Sequence, residues 1–140
     1  MAEVTKIWDS VDLKNPERPR QRVQLSKTND LSVALNLYVP GARNEFHYHK
    51  GSSQSFLCVK GKLTVRTKDS EDGDVTTHHL TEGVCALIPG NQFYQLHNEG
   101  TEPALLYQVK KPGDEIVVAG RGSLKNRDYF TNERQSETAL

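Results

Sequence analysis

The chain has 140 residues, of which 35% are hydrophobic and 26% are charged, as expected for one globular domain with many polar turns. Its 18 lysines and arginines balance 18 aspartates and glutamates, so the composition argues against nucleic acid or an anionic membrane as a partner. The N-terminus has no basic-then-apolar signal and no apolar run is of bilayer length, so we expect a cytoplasmic protein.

The first thirty residues are predicted to form an N-terminal arm and edge strands (1–30). We expect a strand over residues 4–8, with Trp8 as an anchor that holds it in place. Residues 14–22 contain Lys14, Arg18, Arg20 and Arg22, but also a glutamate and two prolines. We therefore interpret residues 14–22 as a solvated connecting arm rather than a binding patch.

Apolar, β-branched runs dominate the middle of the chain, and turn signals such as Pro89-Gly90-Asn91 separate them. This spacing predicts a β-sandwich or barrel rather than alternating strands and helices, with a barrel core over residues 31–118 and a polar C-terminal tail over 119–140. Two cysteines within apolar runs, Cys58 and Cys85, are predicted to be buried thiols, whereas His78 and His79 follow two threonines and are predicted to face solvent. The strands are predicted over residues 31–39, 56–59, 63–67, 84–88 and 104–109.

The candidate site begins at a His-x-His pattern. Residues two apart on a strand point to the same face, so His47 and His49 project together, whereas Phe46 and Tyr48 project the other way. Two imidazoles on one strand face can both reach a single metal ion. Gln54 opens the next apolar run and can point at the same place.

Two stretches, residues 41–61 and 83–98, resemble the paired motifs of the cupin superfamily. The first matches its spacing of a glycine, His-x-His and a second glycine, and the second matches at a glycine, a proline and an asparagine. The resemblance implies an all-β fold, the cupin double-stranded β-helix (jelly-roll) barrel, with the site inside the barrel mouth. The matched positions are Gly41, His47, His49, Gly61, Gly83, Pro89 and Asn98.

The chain also departs from the motifs at three positions. Gln54 stands where the family usually has a metal-binding glutamate, and Tyr94 stands where it has a third histidine. Asn91 replaces a glycine in a turn that tolerates asparagine. Strand alternation predicts that His97, three residues after Tyr94, faces away from the site unless a bulge redirects it.

The resemblance implies a metal set of His47, His49, Gln54 and Tyr94. A tyrosine ligates well only after losing a proton from a phenol of pKa ~10, which a strongly acidic ion promotes. The residues do not identify the ion, which could be Fe, Ni, Zn, Mn or Cu. On this hypothesis the protein is a metal-dependent non-haem oxygenase that acts on a small organic molecule.

Two alternatives remain open, and each also has a small-molecule ligand. One resembles the metal-independent nucleotide-sugar isomerases and epimerases among cupins, in which His47 or His49 would remove a proton next to a carbonyl and Tyr94 would return one. Against it, no basic cluster for a diphosphate is evident in the sequence. The other is a non-catalytic ligand-binding barrel. The resemblance further implies a homodimer in which the strand over residues 4–8 completes the partner's sheet.

Overall fold

The computed structural model describes residues 2–113 and 115–125, and strands account for most of its regular structure. One 3₁₀ turn, Ile7–Asp9, precedes them. The strands found in these residues are β1 (Arg20–Lys27), β2 (Ser32–Tyr38), β3 (His47–His49), β4 (Gln54–Lys60), β5 (Leu63–Lys68), β6 (Thr76–Leu80), β7 (Cys85–Ile88), β8 (Phe93–His97), β9 (Ala104–Lys110), β10 (Glu115–Val118) and β11 (Gly122–Lys125).

These strands form two antiparallel sheets, which confirms the predicted all-β barrel. One sheet has the order β1-β2-β9-β4-β7, and the other has the order β11-β10-β3-β8-β5-β6. No α-helix occurs in the part of the chain that the structure describes, and none of its helical segments has the length and apolarity needed to cross a bilayer.

Alternation along the strands divides the apolar residues between two clusters. Phe56, Cys58, Leu96 and Leu106 belong to the cluster between the sheets. Leu35, Leu37 and Leu105 lie on the opposite face of the first sheet, where Ile7, Val11 and Leu13 of the N-terminal arm pack against them. The interior is therefore closed off on one side by a sheet that the arm covers.

The motif turns are conformationally demanding at Asn91 and Gly61. Asn91 has a positive φ of 67°, in the left-handed region that asparagine tolerates better than most residues, and its side chain accepts a hydrogen bond from the Gly51 backbone N–H at 3.0 Å. Gly61 has φ 78°, and a methyl group there would collide with the Pro103 carbonyl. These backbone conformations explain why asparagine and glycine occupy the two positions.

Several expectations for the N-terminal residues were wrong. Residues 7–9 form a 3₁₀ turn instead of continuing a strand from Val4, and Trp8 is half exposed rather than a buried anchor. The solvated arm ends earlier than predicted, because β1 begins at Arg20 and that side chain is buried. Pairing with β2 places Arg20 and Arg22 opposite Tyr38 and Asn36.

Two further expectations need correction. Cys58 is buried as predicted, but Cys85 is exposed, since it occupies an outward position of the edge strand β7. β11 lies within the segment predicted to be a polar tail and pairs with β10. The residues after 125 lie outside the described part of the chain. His78 and His79 are exposed on β6, as predicted.

Candidate functional site

The predicted site residues come together inside the barrel. His47, His49, Gln54 and Tyr94 are each at most 6% exposed. β3 pairs with β8 so that His47 and Tyr94 are register partners, and their ring centroids are 4.4 Å apart. The prediction that Tyr94 projects toward the two histidines is therefore confirmed by the geometry.

The two histidines have different hydrogen-bond partners. His47 Nδ1 lies 2.8 Å from the backbone carbonyl of Glu45, which can only accept, so Nδ1 carries the proton and Nε2 keeps its lone pair. His49 Nε2 lies 3.2 Å from the Tyr94 hydroxyl, and its Nδ1 lies 3.5 Å from Lys110 Nζ. A lysine beside this imidazole was not among the predicted site residues.

Burial and nearby cations keep both imidazoles neutral. Burial lowers the pKa of His47 from 6.5 to about 4, opposed by its bond to Glu45 and reinforced by Lys110 and Arg20. Burial also lowers the pKa of His49 well below 6.5, again with Lys110 contributing. At neutral pH both rings therefore offer a lone pair rather than a positive charge.

Lys110 is a site residue that sequence reasoning missed. It is 5% exposed, and burial, together with Arg22 and Lys27, lowers its pKa from 10.5 to about 8. Lys110 is the last residue of β9, and its register partner on β4 is Gln54. Alternation from Leu106 was the available signal, because residues 106, 108 and 110 share one strand face.

A chain of amides lines the same face of the first sheet. Asn36 Nδ2 donates to Gln108 Oε1 at 2.9 Å, and Gln108 Nε2 donates to Gln54 Oε1 at 2.7 Å. Gln54 thus lies in the interior, as predicted, but its amide oxygen is already engaged by Gln108. We refer to His47, His49, Gln54, Tyr94 and Lys110 as the polar end of the barrel.

His97 lies outside the polar end. Its Nδ1 is 3.3 Å from Arg66 and 3.9 Å from Glu99, whereas Tyr94 is in the interior cluster. The two residues therefore face opposite ways, as strand alternation predicts. A separate surface cavity of about 360 Å³ lies along the N-terminal arm, lined by Asp12, Glu17 and other residues, and none of the polar-end residues lines it.

The side chains of the polar end form a poor ligand set for a divalent metal ion. Within residues 2–113 and 115–125, no group of three or more His, Cys, Asp or Glu side chains is arranged to hold a metal. His47 and His49 are the two strong candidate ligands, while Gln54 is neutral and hydrogen-bonded to Gln108. Lys110 adds positive charge 3.5 Å from His49, which disfavours a cation. The predicted metal stays a prediction.

Comparisons with known proteins agree with the fold. An uncharacterised protein of Acanthamoeba polyphaga mimivirus is 31% identical over 103 residues, which are 73% of this chain and 61% of that protein. A Klebsiella pneumoniae protein with a double-stranded β-helix domain superposes with a TM-score of 0.69 at 22% identity, covering 86% of this chain and 100% of its own. A Thermus thermophilus protein gives a TM-score of 0.67 at 23% identity, over 79% and 98% of the two chains.

The family model described as "Cupin domain" matches residues 35–110, more than half of the chain. These residues run from β2 to the end of β9 and include His47, His49, Gln54, Tyr94 and Lys110. The chain therefore belongs to the cupin family.

Proposed function

We propose that the polar end of the barrel binds a small organic carbonyl compound and moves a proton at the carbon next to the carbonyl, without a metal. The observation that carries this proposal is the hydrogen-bonded series Lys110–His49–Tyr94, with separations of 3.5 and 3.2 Å. This series orients Tyr94 as an acid, and the neutral imidazole of His47 opposite it can act as a base.

Tyr94 is the acid in this proposal. A protonated lysine has only donors, so Lys110 makes His49 Nδ1 an acceptor, and His49 Nε2–H then donates to the Tyr94 oxygen. When a substrate is bound, the Tyr94 hydroxyl would donate its proton to the substrate carbonyl. As Tyr94 gives up that proton, the His49 N–H and the positive charge on Lys110 stabilise the phenolate.

His47 is the base. Its Nδ1 proton is held by the Glu45 carbonyl, so Nε2 can accept a proton from carbon. The C–H electron pair then forms a C=C bond, and the carbonyl oxygen takes the Tyr94 proton, giving an enol, or an enediol when the carbon that loses the proton carries a hydroxyl group. When His47 returns its proton to carbon and the O–H proton returns to Tyr94, both groups are restored and the product is an epimer or, from an enediol, an isomer of the substrate.

Proton exchange in D₂O tests the proposal before the substrate is identified. The parent, freed of metal with a chelator, is incubated with 2-oxo acids, hydroxyketones and nucleotide sugars, and loss of the α-proton signal is followed by ¹H NMR. We expect exchange with at least one class, and a loss of about 10²-fold or more in His47→Gln and Tyr94→Phe.

Tyr48→Phe is the matched control. Tyr48 lies between the two histidines on β3, but it projects to the other face and packs against Phe93, with ring centroids 4.9 Å apart. Its phenylalanine variant should exchange as the parent does. Exchange that is equal in the parent, His47→Gln and Tyr94→Phe would refute the proposal.

A metal-dependent oxygenase is the second candidate, because His47 and His49 project from one strand face with ring centroids 5.3 Å apart. Proteins of the cupin family commonly bind transition metals. The test is elemental analysis of protein purified without chelators or a histidine tag. About one metal per chain, lost in the alanine variants of both histidines, would favour this candidate over metal-free proton transfer.

A further inference from the structure

We infer that Lys110 and Gln54 form a binding site for a carboxylate group of the substrate, so that the ligand is a small organic acid. This inference rests on the proposed function and adds the chemical class of the molecule that binds. It follows from three features of the polar end, which are a buried ammonium without a counter-ion among the described residues, an adjacent amide donor and the distance to the acid–base groups.

Lys110 is a buried cation for which residues 2–113 and 115–125 provide no counter-ion. The side chain is 5% exposed, and no ion pair of the described residues includes it. The charged groups that act on Lys110 are Arg22 and Lys27, both positive. A buried charge without a partner is unfavourable, and an anionic ligand would offset that cost directly.

Gln54 provides a donor next to this ammonium. The two residues are register partners on β4 and β9, so their side chains leave the sheet side by side on one face. Because the Gln54 oxygen accepts from Gln108, its Nε2 group is directed elsewhere, and no hydrogen bond of the described residues uses it. An ammonium and an amide N–H₂ in adjacent positions suit the two oxygens of a carboxylate.

The position of Lys110 determines how close the bound carboxylate would lie to the reacting carbon. Lys110 Nζ lies 3.5 Å from His49, which in turn contacts Tyr94. A carboxylate bound at Lys110 would thus lie close to the carbonyl that Tyr94 protonates, which favours a 2-oxo acid. Its negative charge would also offset the field of Lys110 on both histidines and make His47 a stronger base.

Calorimetry with simple probes tests the carboxylate site directly. Acetate, its neutral analogue acetamide and inorganic phosphate are titrated into the parent, Lys110→Met and the exposed-lysine control Lys62→Met. We expect the parent and Lys62→Met to bind acetate at least about tenfold more tightly than acetamide, and Lys110→Met to lose this preference. An equal response to acetate in the parent and Lys110→Met would overturn the inference, as would binding of phosphate but not acetate.

A second variant keeps the inference testable if Lys110→Met does not fold. Gln54→Glu places a carboxylate within the chain beside Lys110, and it should abolish acetate binding by occupying the ammonium. Retained acetate binding in Gln54→Glu would overturn the inference.

Tyr94→Phe separates this inference from the proposed function. It should bind acetate as the parent does while losing proton exchange. Exchange with neutral carbonyl compounds in a parent that does not bind acetate refutes the carboxylate site alone. Acetate binding in a parent that exchanges no α-protons refutes the acid–base function alone.

Discussion

Replacing Lys110 with methionine should stabilise the protein, although it removes a residue of the polar end. Methionine keeps the apolar stem of the side chain and removes the buried charge. The folded state lowers the pKa of Lys110 from 10.5 to about 8 through burial and the nearby cations Arg22 and Lys27. At about 1.4 kcal/mol per pKa unit, this shift corresponds to a cost of about 3 kcal/mol near neutral pH.

The pH dependence of stability tests independently whether the buried charge of Lys110 destabilises the folded state. Between about pH 8 and 10.5 the unfolded chain binds a proton at Lys110 that the folded chain does not. The free energy of unfolding of the parent should therefore rise with pH across this window, relative to that of Lys110→Met. Urea unfolding of both proteins at several pH values from neutral to the upper end of this window measures the difference.

Lys62→Met is the control, because Lys62 is an exposed residue in the turn between β4 and β5. Its unfolding free energy should follow that of the parent at every pH. A Lys110→Met protein that is less stable than the parent at neutral pH, with no relative change at alkaline pH, would show that the ammonium is well compensated in the fold. That result would refute the reasoning about an uncompensated charge.

A buried histidine, a crowded glycine and an exposed edge strand lead to three other predictions. Burial lowers the pKa of His47 from 6.5 to about 4, so the parent should lose about 1.4 kcal/mol of stability per pH unit as pH falls between these values, and urea unfolding of His47→Gln should show one proton less of this dependence. Gly61→Ala should cost about 1–3 kcal/mol, measured the same way, because φ is 78° and the methyl group meets the Pro103 carbonyl; an unchanged midpoint would contradict this. Light scattering should report a homodimer with twice the mass of the 15.7 kDa chain. Leu87 is 70% exposed on the outer face of the edge strand β7, so Leu87→Lys should shift the measured mass toward that of the monomer. A monomeric parent would contradict the dimer.

The barrel and its central pair of histidines were predictable from the sequence because both depend on local patterns. Turn residues mark the strand ends, and period-two alternation assigns His47 and His49 to one face. The resemblance to the cupin motifs, rather than a local pattern, placed Tyr94 with them, and β8 pairs with β3 at that residue. The strands and the shared face of the histidines follow from short segments, whereas the position of Tyr94 required the fold that the resemblance implies.

The charges of the polar end were not predictable in the same way. Lys110 is 61 residues from His49 in sequence, and their contact depends on how two sheets face each other. Arg20 and Arg22 resembled a solvated arm, because the composition of residues 14–22 does not reveal that β1 begins at Arg20 and pairs with β2. Whether a basic residue at the end of an alternating strand faces the interior or solvent is unknown until the register of that strand is known.

A crystal structure of the parent grown with a small 2-oxo acid such as pyruvate, with anomalous data collected for first-row metals, tests the central claim most directly. We expect carboxylate density within hydrogen-bond distance of Lys110 Nζ and Gln54 Nε2, the carbonyl oxygen next to the Tyr94 hydroxyl, and no anomalous peak between His47 and His49. An anomalous peak bound by both histidines, with no carboxylate at Lys110, would contradict the claim.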